Sequence, residues 1–144
     1  MKKLMLSVDE GCELLSALPV NLEVETLPLF EAYDRVLAED IHAVISVPPF
    51  DKSPFDGYAF RSADTVSASR ENPVTLLITE EIPAGKVPTK AISKGYAAKI
   101  LTGAQVPPGA DAIVKYEDTE FSETEVKIFA PVSPDSNIVH AGED

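Results

Sequence analysis

Two short loops hold the side chains whose types and spacing could carry out chemistry. The first loop, Asp51 to Tyr58, presents two carboxylates, Asp51 and Asp56, with the hydroxyl of Ser53 between them. The prolines in and before this stretch exclude a helix and fix an irregular loop, and a stiff loop is what keeps a reactive carboxylate in place. Gly57 would let the backbone approach a ligand closely. The same residue types also form ordinary turns, so the motif alone leaves a simple turn open.

The second loop, Thr102-Gly103-Ala104, follows a predicted strand that carries Lys99 near its end. A hydroxyl followed by small residues with accessible backbone amides can hold an oxyanion or a phosphate, and Lys99 would add positive charge. A turn that merely leaves the strand is the alternative. The residues by themselves therefore predict a β-rich domain with two candidate loops.

Other familiar chemistries are missing from the sequence. It has no glycine-rich nucleotide-binding motif and no nucleophile elbow. The two histidines, His42 and His140, lie 98 positions apart, so a histidine metal site is poorly supported. The single cysteine, Cys12, excludes an intrachain disulfide. We expect Cys12 to be a buried structural thiol in a protein of a reducing compartment, the cytoplasm.

Charge excludes further classes of partner. The chain of 144 residues has 12 basic and 24 acidic side chains, a net charge of −12. Nucleic acid and anionic membranes are therefore unlikely partners, because both require a basic face. Residues 71–110 are the exception, with three acids and four lysines, so an anion-binding surface should draw on them. No apolar run approaches the roughly 18 residues of a membrane helix.

The elements that must position the two loops are mostly strands. Ser7 and Glu10 form a capping box, which predicts a helix up to Leu18, and a helical turn is expected at 29–33. Alternating apolar residues at 41–47 predict a strand with one buried face. Short β-like runs follow, separated by turns, at 58–61, 74–79, 97–101, 112–116 and 126–132. The fold class is therefore mainly β with a short N-terminal helix (α+β), with a barrel-like or sandwich-like β domain.

Taken together, the two loops and their spacing resemble the molybdopterin molybdenumtransferase family, which includes MoeA and the E domain of gephyrin. The likeness covers nearly the whole chain and is densest from Pro48 to Ala59, the run PPFDKSPFDGYA. It continues through Thr102-Gly103-Ala104 and ends in Gly142-Glu143-Asp144.

The resemblance implies an N-terminal fragment made of the family's domains I and II. Residues 1–45, with 132–144 returning, would form domain I, elongated and partly linker-like. Residues 46–131 would form the inserted β-rich domain II, which carries both loops. The family's domain III, which binds most of the pterin and nucleotide, and its C-terminal domain IV have no counterpart in this sequence.

The resemblance also implies a late step of molybdenum cofactor biosynthesis. Family members insert molybdate into adenylylated molybdopterin and release AMP, and they act as homodimers with the active cleft between subunits. Asp56 and Thr102 map to that cleft as catalytic residues. Ser53, Lys99, Gly57 and Gly103 are weaker candidates for substrate binding. Asp56 would either hold a divalent cation, Mg²⁺, that bridges the substrate's phosphates, which is the version we favour, or relay a proton.

Two alternatives and one departure accompany this expectation. The chain could be a stand-alone, non-catalytic scaffold module of the gephyrin type, or a plain acidic carbohydrate- or metal-binding β domain. The fragment alone is expected to be inactive. Val139 stands where the family usually has arginine, which puts an anion contact by this position in doubt.

Overall fold

The chain forms two compact units in a computed structural model, which describes residues 5–19 and 22–143. The first unit is Met1–His42 and the second is Ala43–Asp144. The predicted division into domain I and domain II, with residues 132–144 returning to domain I, stays a prediction.

The first unit contains the predicted N-terminal helix. Helix α1 spans Val8–Ser16. The capping box is confirmed: the Glu10 amide donates to the Ser7 hydroxyl and the Ser7 amide donates to the Glu10 carboxylate, at 3.2 and 2.9 Å. A 3₁₀ turn at Leu29–Glu31 is the predicted helical turn. None of the helices that the structure describes has the length and apolar character needed to cross a bilayer.

Two expectations for the N-terminal third of the chain are wrong. Cys12 is exposed rather than buried, because α1 buries none of its residues and its apolar stripe is left open. Residues 41–47 form no strand. Their apolar side chains are exposed, Val44 to 97%, so period-two alternation here does not reflect a sheet with one buried face.

The second unit is built on one six-stranded sheet. The strands are β1 (Gly57–Phe60), β2 (Val74–Ile82), β3 (Tyr96–Ile100), β4 (Ala112–Lys115), β5 (Thr119–Phe121) and β6 (Glu125–Ile128). Their order in the sheet is β4-β1-β3-β2-β6-β5. Neighbouring strands are antiparallel except β2 and β3, which are parallel. The predicted fold class, mainly β with one short α-helix, is confirmed.

Each face of the sheet carries an apolar cluster. Tyr58 and Phe60 of β1 belong to one cluster, and Ala59 between them belongs to the other. This alternation follows from the pleat, which sends successive side chains to opposite faces. Strand β1 is buried on both faces and lies between β4 and β3 in the sheet, so its neighbours hold it in place. The candidate loop that ends at Gly57 is thus attached directly to a rigid strand.

Candidate functional site

Backbone hydrogen bonds join the two candidate loops. The Ser53 amide donates to the Ala104 carbonyl at 3.0 Å, and the Gly103 amide donates to the Ser53 carbonyl at 2.8 Å. The Val106 amide donates to the Asp51 carbonyl at 2.8 Å. The loops predicted from separate parts of the sequence therefore form one structural element.

Ser53 lies inside this element rather than at its surface. The side chain is buried, and its hydroxyl donates to the Phe55 carbonyl and accepts from the Phe55 amide. Such a bond closes a turn locally. The geometry therefore gives Ser53 a role in shaping the loop, and substrate binding by its hydroxyl would require this bond to break.

The segment near residue 140 is tied to the first loop. Lys52 and Val139 exchange backbone hydrogen bonds at 2.9 and 3.0 Å. The Asp51 carboxylate accepts from the Ala141 amide at 2.9 Å and lies 3.3 Å from the His140 ring. Asp51 thus anchors the segment near residue 140. Val139, which stands where the family usually has arginine, is bonded to the first loop through its backbone.

Asp56 and Thr102, 46 positions apart in sequence, meet where the two loops join. Oδ1 of Asp56 accepts two hydrogen bonds from Thr102, one from the amide and one from the hydroxyl, each 2.8 Å long. Both residues are exposed. The structure therefore brings the two predicted catalytic residues into direct contact, and Oδ2 of Asp56 takes no part in these two bonds.

The contact with Thr102 also stabilises the ionised form of Asp56. The pKa of Asp56 lies below its ordinary value, chiefly because the Thr102 amide donates to the carboxylate. The Thr102 hydroxyl lowers the pKa further, partial desolvation opposes it, and the positive charge of Lys99 adds a smaller lowering. A hydrogen bond to the charged form favours that form. Asp56 is therefore an anion at neutral pH.

Gly57 is packed against a strand, not against open space. A β-carbon at this position would lie 1.9 Å from the Val114 carbonyl oxygen in β4. The absence of a side chain lets β1 and β4 approach each other next to Asp56. The expected close approach is real, but in this structure the partner is backbone rather than ligand.

The backbone amides of the second loop are already used. The Thr102 amide donates to Asp56, the Gly103 amide to Ser53 and the Ala104 amide to the Leu101 carbonyl. The expectation that these amides are free for an oxyanion is therefore wrong. Gly103 has φ of +78°, a conformation that favours glycine, and this conformation lets the loop fold back onto Ser53.

Lys99 of β3 pairs with Tyr58 of β1, two residues after Asp56 in the chain. Its ammonium forms an ion pair with Glu81 at 2.9 Å and sits 5.8 Å from the centre of the Tyr116 ring. The Tyr116 amide in turn donates to the Asp56 carbonyl at 3.3 Å. The positive charge of Lys99 is close enough to lower the pKa of Asp56 slightly, and the role of Lys99 in binding an anion stays a prediction.

Sequence reasoning missed two residues of this neighbourhood, Glu81 and Tyr116. Burial raises the pKa of Tyr116, and burial raises that of its neighbour Tyr58 to about 12. Both tyrosine hydroxyls are buried, and neither forms a hydrogen bond of ordinary geometry within the described residues, although Lys99 lies close enough to the Tyr116 hydroxyl to lower its pKa against the effect of burial. The Asp-Gly-Tyr motif draws attention to Tyr58. The proximity of Tyr116 to Tyr58 could not be predicted from the sequence, because it depends on the pairing of β1 with β4.

The donor set suits a cation held mainly by its substrate. No group of three or more acidic, histidine or cysteine side chains could enclose a metal ion in the part of the chain that is described. Asp56 offers one carboxylate whose Oδ2 takes no part in the bonds to Thr102. Mg²⁺ commonly binds with one or two carboxylates, several waters and substrate phosphates. The described residues therefore form no closed protein cage, and Asp56 could supply one ligand to a cation whose other ligands come from water and substrate.

Comparison with known proteins places the chain in a family. Residues 6–144 match the sequence model described as the MoeA N-terminal region (domain I and II), so the chain belongs to that family. It is 41% identical over 147 residues to a molybdopterin molybdenumtransferase of Bacillus subtilis, covering 99% of this chain and 34% of that protein. It is 42% identical over 119 residues to one of Staphylococcus aureus, covering 83% and 28%.

Solved structures agree with this assignment. A molybdopterin biosynthesis MoeA protein from Pyrococcus horikoshii matches with a TM-score of 0.79 and 43% identity, covering 83% of this chain and 31% of that one. A second solved molybdopterin biosynthesis MoeA structure from Pyrococcus horikoshii gives a TM-score of 0.74 and 36% identity, covering 96% of this chain and 36% of that one. The chain spans about a third of the length of these relatives.

Proposed function

We propose that this chain provides the Asp56–Thr102 part of the active cleft of a molybdopterin molybdenumtransferase. The reaction would insert molybdate into adenylylated molybdopterin and release AMP. The single observation that carries the proposal is the double hydrogen bond from Thr102 to Oδ1 of Asp56. It unites the loop on which the resemblance to the family is densest with the Thr102-Gly103-Ala104 loop, through which the resemblance continues.

The protonation state of Asp56 favours one of its two expected roles. A general acid or base works best with a pKa near the operating pH, whereas the pKa of Asp56 is lowered by Thr102. A permanently ionised carboxylate with a free oxygen is instead a good partner for a cation. We therefore assign Asp56 the task of holding Mg²⁺ together with the substrate's phosphates. When bound, the cation would neutralise the charge of those phosphates.

Thr102 and Lys99 would have different tasks, Thr102 positioning Asp56 and Lys99 attracting the molybdate. The Thr102 hydroxyl donates its hydrogen bond to the Asp56 carboxylate. It therefore positions this carboxylate and is not available to donate to the oxyanion. The Lys99 ammonium, one-third exposed and beside the pair, is the side chain that can attract molybdate. A bare Asp56 carboxylate would repel this anion, which is a further reason to place a cation there.

The test is the turnover of the full-length protein with molybdate and adenylylated molybdopterin, followed by AMP release. Asp56→Asn should lower turnover by at least about 10²-fold, the loss expected for one positioned electrostatic group. Asp118→Asn, which removes the same charge from an exposed position in the same unit, should retain turnover. Near-normal turnover in Asp56→Asn would remove Asp56 from the mechanism and favour the scaffold alternative.

Three broader expectations belong to the same proposal. The full-length protein acts as a cytoplasmic homodimer, and the 144-residue chain on its own does not turn over substrate. AMP release by the isolated chain would show that the site is complete without the remaining length found in the relatives.

A further inference from the structure

Three charged or polar side chains stand side by side across the sheet. Tyr58 of β1 is opposite Lys99 of β3, and Lys99 is opposite Glu81 of β2. Residues in register on neighbouring strands point to the same face and contact each other. This row is therefore continuous, and its member Tyr58 follows Asp56 by two residues in the chain.

A β-bulge brings Glu81 into the row. Ile78 pairs with Ala97 and Glu81 with Lys99, so β2 uses one more residue than β3 between the two pairs. The face of the side chains changes at this point: Ile78 packs on the Tyr58 cluster, whereas Ile82 belongs to the opposite cluster. Without the extra residue, strict alternation would place Glu81 on the far face.

The two adjacent glutamates consequently have different partners. Glu80 accepts hydrogen bonds from the amides of Thr89 and Lys90 and from the Thr89 hydroxyl. Glu81 instead binds the Lys99 ammonium at 2.9 Å. Thr79 closes the bulge by donating its hydroxyl to the Ala97 carbonyl at 3.1 Å. The bulge is therefore fixed by specific contacts.

We propose that Glu81 is a positioning residue of the Asp56 site, which holds the Lys99 ammonium against the Tyr116 ring so that Lys99 can receive an oxyanion. This inference rests on the proposed function, in which the oxyanion is molybdate. Glu81 itself does not touch the anion.

The geometry supports positioning rather than simple neutralisation. A lysine side chain is long and flexible, and a single ion pair leaves its ammonium with two further donors. Glu81 and the Tyr116 ring restrict Lys99 from two sides. An open cleft of about 560 Å³ lies beside the pair; Lys99 is its one basic lining residue, beside Glu80, Glu81 and Glu123, and Asp56 and Thr102 are not part of its lining. A small anion that enters this cleft can be attracted by Lys99 alone.

The experiment is a titration of the ¹⁵N-labelled chain with sodium molybdate at constant ionic strength, followed by amide shifts in the second loop. Glu81→Gln should weaken molybdate binding by about two- to fivefold, the range for one partly exposed charge pair. Lys99→Met should weaken it at least as much, and the double variant no further, because Glu81 acts through Lys99. Glu120→Gln is the matched control, since Glu120 pairs with Lys127 at 3.4 Å on β5 and β6, and it should bind like the unsubstituted chain.

Two outcomes of the molybdate titration would overturn the proposal. Removal of a negative charge would by itself strengthen anion binding, so tighter binding by Glu81→Gln would show that Glu81 competes for Lys99 and would overturn the proposal. Unchanged binding would do the same.

A second measurement separates this inference from the proposed function. The nuclear Overhauser contact between the Lys99 side chain and the Tyr116 ring should disappear in Glu81→Gln and persist in Glu120→Gln, with no molybdate present. If the unsubstituted chain binds no molybdate, the proposed function loses its support in this chain. If the Lys99–Tyr116 contact survives in Glu81→Gln, the positioning role of Glu81 is overturned.

Discussion

Replacing Gly57 with alanine tests how the site is attached to the sheet. The added β-carbon would lie 1.9 Å from the Val114 carbonyl oxygen and 2.9 Å from its carbonyl carbon. Both atoms belong to the backbone of β4, so no side-chain rotation can relieve the contact. Separation of β1 from β4 by more than about 1 Å is needed before the carbon and oxygen reach an ordinary contact distance. This movement would also strain the bond from the Tyr116 amide to the Asp56 carbonyl.

The expected cost follows from these contacts. Overpacking a well-filled interior costs about 1–3 kcal/mol, and each weakened ladder hydrogen bond adds about 1 kcal/mol. We therefore expect Gly57→Ala to lower the free energy of unfolding by about 2–4 kcal/mol, a large share of the roughly 5–15 kcal/mol typical of a domain.

Urea unfolding followed by near-ultraviolet circular dichroism measures this loss. The chain has no tryptophan, so the signal comes largely from tyrosines such as the buried Tyr58 of the second unit. Gly11→Ala is the matched control, because a β-carbon there meets nothing within 4 Å and alanine favours a helix. The control should leave the tyrosine transition in place. A Gly57→Ala midpoint equal to that of the unsubstituted chain would refute the close approach of β1 and β4.

Three further predictions concern titration and exposure. Thr102→Val should raise the pKa of Asp56 toward its ordinary 3.8, as measured by carboxyl ¹³C NMR, whereas Thr89→Val, whose hydroxyl serves another carboxylate, should leave it unchanged. Because burial raises the pKa of Tyr58 from 10.0 to about 12, the folded state keeps a proton that the unfolded state loses, and stability should fall between about pH 10 and pH 12. Urea midpoints across that range check this, and Tyr58→Phe should reduce the fall. Cys12 is exposed, so a thiol reagent should modify it in the native chain nearly as fast as in urea, and strong protection would contradict the open helix face.

Local signals in the sequence were enough to predict much of the fold. The Ser7–Glu10 capping box depends only on residues three positions apart, and it forms as expected. Five of the six strands of the second unit follow predicted apolar runs bounded by turns, and β1 and β3 begin within one residue of their predicted starts. Strand β5, Thr119–Phe121, was missed because it is not an apolar run. The meeting of Asp56 with Thr102 was implied by the family resemblance, because no local pattern joins residues this far apart.

The remaining features depend on long-range pairing. Glu81 faces Lys99 only because a bulge adds one residue to β2, and strict alternation would have placed it on the other face. The amides of Thr102 and Gly103 donate to Asp56 and Ser53 of a distant segment, which composition cannot show. At residues 41–47 apolar residues do alternate in the sequence, but their side chains are exposed and no strand forms.

The central claim is that Asp56 and Thr102 act as one unit, and a double-mutant cycle in the full-length protein tests it most directly. AMP release would be measured for Asp56→Asn, Thr102→Val and the double variant with molybdate and adenylylated molybdopterin. Because the Thr102 hydroxyl acts through the Asp56 carboxylate, the double variant should be no slower than Asp56→Asn alone. Losses that multiply in the double variant would show that the two residues act independently and would contradict the claim.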